Sequence, residues 1–282
     1  MTRRTILCAL SLSLGFSSSV LAQETVIQTV ERIVDIAAAK AEGHAERIMA
    51  EASNGSIELV VDATLDAPHI EATFTVEGED EKDVARRAEL VKLFAERAAD
   101  QTLVVRPIFP GKEMPRDTVR VRIVVPKSGD CTLRSANGAL TVTGTAGKLK
   151  LNAKNGAIRV ERHTGSVDAN AANGAIEILH AGGEVRASAA NGAITVSLAD
   201  GNDLPFEIET RTGSVRVEVG TDFDGIVKMH TTGGELSVSD SGKRARTPQS
   251  TDHARTIEIG AAGVTSEARS TTGSVKLTIR AK

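Results

Sequence analysis

From residue 137 to residue 201, apolar side chains return every 9 residues, each set following a glycine. Two positions after the glycines come Leu140, Leu149, Ile158, Val167, Ile176, Val185 and Ile194, and two further on Val142, Leu151, Val160, Ala169, Ile178, Ala187 and Val196. Alternate glycines follow asparagine, giving Asn137-Gly138, Asn155-Gly156, Asn173-Gly174 and Asn191-Gly192 at a spacing of 18. Asn54-Gly55 opens an earlier copy, with Ile57 and Leu59 behind it. The short alternation within each unit predicts one strand and one turn per half-repeat. Asn-Gly is the preferred pair for a tight turn that needs positive φ.

Two folds satisfy this period. In an antiparallel meander Leu151 faces Val160 across a turn; in a solenoid residues 18 apart stack, so Leu140, Ile158, Ile176 and Ile194 form one ladder. A meander needs another layer over its apolar face, whereas a solenoid covers one wall with the other. The expectation is therefore an all-β chain, a single β-solenoid-like repeat domain of 18-residue rungs, with one short helix inserted in the N-terminal half.

Outside the repeats the pattern is looser. Residues 24–50 fit helix and strand equally, and 69–76, 102–108 and 118–125 alternate as strands. Residues 79–97 are charged and rich in helix formers, with Val84, Ala88, Val91 and Ala95 on one face; this predicts a helix from about Glu81 whose C-terminal part could be strand. Thr212-Gly213, Thr232-Gly233 and Thr272-Gly273 keep the repeat vocabulary. Residues 241–255, with Lys243, Arg244, Arg246 and Arg255, are expected to form a mobile basic loop. The expected divisions are 1–22 as a signal peptide, 23–130 as N-terminal strands, helix and the solenoid's start, and 131–282 as the Asn-Gly repeat.

The signal-peptide expectation rests on Arg3 and Arg4, the apolar run from Ile6 to Val20, and Val20-Leu21-Ala22 before Gln23. Removing it leaves 32 basic against 37 acidic side chains, a formal charge of −5 that gives no reason to expect nucleic acid. No later stretch approaches the roughly 20 apolar residues of a membrane span, so the mature chain is expected to be exported, periplasmic or secreted. One cysteine, Cys131, remains, leaving either a buried thiol or pairing with a second chain. Tryptophan and tyrosine are absent, which predicts a thin aliphatic core.

Residues 54–59 (Asn-Gly-Ser-Ile-Glu-Leu), residues 121–126 (Val-Arg-Ile-Val-Val-Pro) and the Asn-Gly-Ala-Ile/Leu units are similar to a bacterial family of envelope β-strand-repeat proteins of unknown function. Its members are labelled "putative adhesin" and are related to toastrack-type domains. The resemblance covers about residues 45–280 and implies a non-catalytic module at the cell envelope, with no catalytic residues to carry over. Val275 to Lys282 shows no translocating barrel or sorting signal, so a soluble periplasmic protein is expected rather than a self-displayed adhesin.

Candidate chemistry is sparse. Asn54, Gly55, Asn137, Gly138, Asn155, Gly156, Asn173, Gly174, Asn191 and Gly192 are taken as a structural turn ladder, the asparagine amides bonding up the stack. A calcium roll needs repeated carboxylates, but Asp168 meets Arg186 in the next rung. Outward pairs such as Arg159/Glu161 and Glu177/Leu179 break any threonine array and suggest a solvated wall with ladder ion pairs. His44, His69, His163, His180, His230 and His253 have no second histidine or cysteine within four residues, so no metal or cofactor is expected. The expected function is an exported, non-enzymatic scaffold or interaction protein whose partner is a protein or polysaccharide of the envelope. Two alternatives stand: an accessory of an envelope-stress signalling system, or a carbohydrate-active enzyme drawing on Asp80, Glu81, Glu89, Glu96 or Asp117.

Overall fold

The structure is a computed structural model that describes residues 4–6, 25–35, 45–111, 114–261 and 263–281. The expected signal peptide lies outside the described residues except for Arg4–Ile6, which pairs antiparallel with Val30 to Gln28.

The 18-residue period winds the chain into a parallel, two-walled solenoid. Leu149–Asn155 pairs in parallel with Val167–Asn173 and that strand with Val185–Asn191, forming wall B. Ile158–Glu161, Ile176–Ala181 and Ile194–Leu198 pair likewise in wall A. Leu140, Ile158, Ile176 and Ile194 are direct register neighbours, as the solenoid requires and a meander does not. The Gly+2 and Gly+4 side chains of both walls are buried and meet in one aliphatic core. The third inward position of wall B, beside the corner, is small: Ser135, Ala153, Ala171, Ala189 and Thr210. Larger side chains would not fit where the walls converge.

The rungs do not stack in sequence order. The single strand Glu46–Val61 crosses both walls and lies against the rung of Ser128–Asn137 and Leu140–Thr143, pairing Asn54 with Asn137. At the other end the last rung, Val264–Thr272 with Val275–Ile279, inserts between Phe206–Thr212/Val215–Val219 and Gly225–Gly233/Leu236–Asp240. Ser135, Thr210, Ser270 and Thr231 each donate their hydroxyl to a corner glycine carbonyl of a neighbouring rung, at 2.8–2.9 Å.

The first end is closed by local structure. Wall A continues through Thr118–Val125, His69–Gly78 and Val26–Asp35, and wall B through Leu103–Ile108 and Lys92–Arg97. Residues 26–35 and 46–50 are thus strand, not helix. The helix Glu81–Leu90 starts at Asp80, whose carboxylate accepts the Lys82 and Asp83 amides. It stops ahead of Val91, which is extended, and the Phe94 and Ala95 side chains belong to Lys92–Arg97 instead. Arg87 pins the helix through a buried ion pair to Asp117 at 2.7 Å.

Residues 241–255 are not a mobile loop. Ala245–Ser250 and Ala254–Ile259 form a hairpin that extends wall B beyond Gly225–Gly233. Ile257 and Ile259 are buried in the core, which gives the hairpin its anchor. Pro248 and an irregular register between Arg246 and Gln249 blunt the outer edge against further pairing.

Candidate functional site

Each corner after wall B is built by close approach rather than by a left-handed asparagine. No asparagine has positive φ among the described residues. The glycines stack in a column, Gly55, Gly138, Gly156, Gly174, Gly192, Gly213, Gly273 and Gly234. A Cβ on any after the first would overlap the backbone carbonyl of the glycine before it. Beside that column Asn137, Asn155, Asn173 and Asn191 each donate Nδ2 to the Oδ1 of the preceding asparagine, at 2.6–2.9 Å, beginning from Asn54. At the opposite corner Gly144, Arg162 and His180, 18 apart, do carry positive φ.

The outward face of wall B carries a recess that the middle rungs line, a groove of about 750 Å³. Its floor comes from one column, Asn152, Asn170 and Ser188, and from alanines one residue before the corner, Ala136, Ala172 and Ala190. These short side chains leave the depression. One end rises to Pro107 and Phe109, where the chain leaves Leu103–Ile108 and the Phe109 ring packs edge-on against Phe74, centroids 5.3 Å apart. There the Glu51 carboxylate is shared by two guanidiniums, Arg134 at 3.1 Å and Arg106 at 3.3 Å. Lys154 projects from the floor without an ion pair, and the Asn152 amide and Ser188 hydroxyl have no side-chain partner among the described residues. The Asn170 amide donates to Asp168 at 2.7 Å.

None of the groove's outward positions was singled out by sequence. The signal that could have found them is alanine at Ala136, Ala172 and Ala190, where alternation places solvent-facing side chains.

The other candidates are scattered. Asp168 stacks on Arg186. On wall A, Arg159 bridges Glu161 and Glu177, the expected ladder ion pairs. Among the enzyme candidates Asp80 caps the helix and Asp117 is bound to Arg87, while Glu81, Glu89 and Glu96 face solvent. His44 lies outside the described residues. His69 pairs with Asp35 at 2.6 Å, and no group of three metal-capable side chains occurs among the described residues. His163 is fully buried, its Nδ1 2.8 Å from the Thr145 hydroxyl and its Nε2 3.1 Å from the Gly147 carbonyl. Burial pushes its pKa below the ordinary 6.5. Cys131 is buried, and desolvation, helped by Asp130, pushes its thiol up to about 12.

Fold and groove define a parallel β-solenoid with a recess on one wall. Residues 143–281 match a domain of unknown function, DUF7330, which spans the strands from Leu149–Asn155 to the last rung. Similar solved structures include a "putative adhesin" of Bacteroides fragilis (10% identity, TM-score 0.43, covering 89% of this chain and 97% of that one). Another is a "putative adhesin" of Parabacteroides merdae (12% identity, TM-score 0.35, covering 89% and 96%). A third is a "putative cell adhesion protein" of Clostridium sporogenes (11% identity, TM-score 0.29, covering 89% and 99%). The match to a domain of unknown function agrees with the resemblance, carried by the Asn-Gly units, to a family of unknown function. No curated protein matches the chain. No helix among the described residues is long and apolar enough to cross a membrane.

Proposed function

We propose that this chain is an exported, non-enzymatic scaffold of the bacterial cell envelope that receives its partner on the outer face of wall B. The observation that carries this reading is the groove itself: a recess of about 750 Å³ on a rigid ladder, floored by Asn152, Asn170 and Ser188. Its lining offers hydrogen-bonding groups but no cysteine or histidine and a single carboxylate, Glu51, which is occupied by two arginines. A ladder holds such groups in fixed register, which lowers the ordering cost of binding. Export is supported by the composition of residues 1–22.

The test has two parts. Expressed with its own N-terminus in a bacterial host, the chain is expected to be recovered outside the cytoplasm with a mass beginning at Gln23. The purified mature chain should then co-sediment with isolated envelopes of its source cells. Ser188→Trp and Asn170→Trp, which fill the groove, should abolish this, while Thr195→Trp on wall A should not. Equal retention by all three variants would sink the proposal.

A further inference from the structure

We propose that the wall B groove binds an anionic polysaccharide, a run of sugars bearing carboxylate or phosphate groups. The proposal rests on the reading of wall B as the partner face and adds the chemistry of that partner.

Charge is the first reason. The chain is net acidic, with 34 basic and 37 acidic side chains. The groove is the reverse: Arg106, Arg134 and Lys154 line it against one carboxylate, Glu51. Glu51 holds both guanidiniums but balances only one, and Lys154 has no ion-pair partner among the described residues. An excess of positive charge therefore faces a recess in an otherwise acidic molecule. Guanidiniums already oriented by Glu51 are suited to take a second carboxylate or a phosphate in a forked geometry.

The floor supplies the second reason. Asn152, Asn170 and Ser188 occupy one column of successive parallel strands. Neighbouring strands lie about 4.8 Å apart, so amide and hydroxyl groups recur at a fixed step along the solenoid axis. A linear ligand with repeating hydroxyls can use each step, and the Asn152 amide and Ser188 hydroxyl are available for it.

Other occupants fit less well. An acyl chain needs a deep apolar slot, and here the floor offers alanine methyls, with Pro107 and Phe109 the larger apolar groups. A peptide adding as a strand needs an open edge, but Leu149–Asn155 and Val167–Asn173 are paired on both sides. Nucleic acid calls for a far more basic surface.

Affinity electrophoresis of the full mature chain through gels containing polygalacturonate, or neutral dextran of similar length, tests this. Polygalacturonate is expected to retard the chain at concentrations at least tenfold lower than dextran. Lys154→Glu should weaken retardation severalfold and Ser188→Trp should abolish it, whereas Arg216→Glu, on wall A, should leave it unchanged. Circular dichroism would confirm that each variant remains folded; should Ser188→Trp not fold, Lys154→Glu against Arg216→Glu decides alone. Equal retardation by both polymers, equal loss from Arg216→Glu, or binding to anionic phospholipid vesicles in place of polygalacturonate would each overturn the proposal. Envelope attachment that is lost in Ser188→Trp without any retardation by polygalacturonate would overturn this inference alone. Attachment insensitive to Ser188→Trp would overturn the wall B reading as well.

Discussion

His163 shows how one buried polar residue sets a pH limit. With Nε2–H donated to the Gly147 carbonyl and Nδ1 accepting from the Thr145 hydroxyl, both ring nitrogens are satisfied in the neutral form. Its pKa is lowered by burial, so below pH 6.5 the unfolded chain takes up a proton that the folded chain resists. The contribution is intact above 6.5 and is lost as the pH falls from there toward the folded value, at up to about 1.4 kcal/mol per pH unit. Urea unfolding at neutral pH and near pH 5.5 should show His163→Gln losing less stability than the parent across that interval. At Cys131 the thiol is raised to about 12 and shielded, so iodoacetamide should label it only after denaturation, with no disulfide dimer on non-reducing gels. The sequence offered His163 only as one of six histidines without a neighbouring ligand and Cys131 as a lone thiol, and His163 and His180 lie 17 residues apart rather than 18. It could not say that the offset turns one ring inward and puts the other on a left-handed corner.

At the scale of the element, the asparagine–glycine corner is a stacking device. Gly174→Ala would drive a methyl into the Gly156 carbonyl and should cost about 3 kcal/mol or more by chemical denaturation. Gly201, which has open space around it but φ of +79°, should cost only about 1–2 kcal/mol as alanine. The ladder also bears on chemical lifetime. Asn-Gly deamidates when the glycine nitrogen attacks the asparagine Cγ and expels ammonia. Here the amides of Gly138, Gly156 and Gly174 donate to the asparagine carbonyls of the following rung at 2.9–3.0 Å. Peptide mass spectrometry after incubation at mildly alkaline pH should find these sites preserved in the folded chain and converted in urea. The asparagine–glycine spacing was legible from the sequence alone. Its physical basis was legible only in part: positive φ was expected at the turn and is found at Gly138, but the whole column needs glycine because the strands approach too closely for a Cβ.

Across the whole molecule the order of rungs controls which parts stand alone. The rung of Gly225–Gly233 and Leu236–Asp240 meets the rest of the solenoid through Val264–Thr272 and Val275–Ile279. A chain ending at residue 263 should therefore expose residues 220–260 to limited proteolysis while 46–219 stays resistant. Loss of protection throughout would show that the last rung supports the entire stack. The join of Asn54 to Asn137, 83 residues away, is a similar long-range closure, and such contacts slow folding because loop entropy is lost before pairing offsets it.

The sequence by itself determined the local unit: the alternation that buries Leu140, Ile158, Ile176 and Ile194, the glycine at each corner, and the 18-residue rung that follows from them. These are short-range consequences of side-chain polarity and backbone sterics, so they can be read along the chain. Only the tertiary structure decided that the last rung inserts before the preceding one, and that residues 245–259 form an edge hairpin. It also decided that Arg106, Arg134 and Lys154 gather round Asn152 and Ser188. Those outcomes depend on which strand finds which neighbour. Side chains on an outward wall become one surface only after separate rungs have stacked.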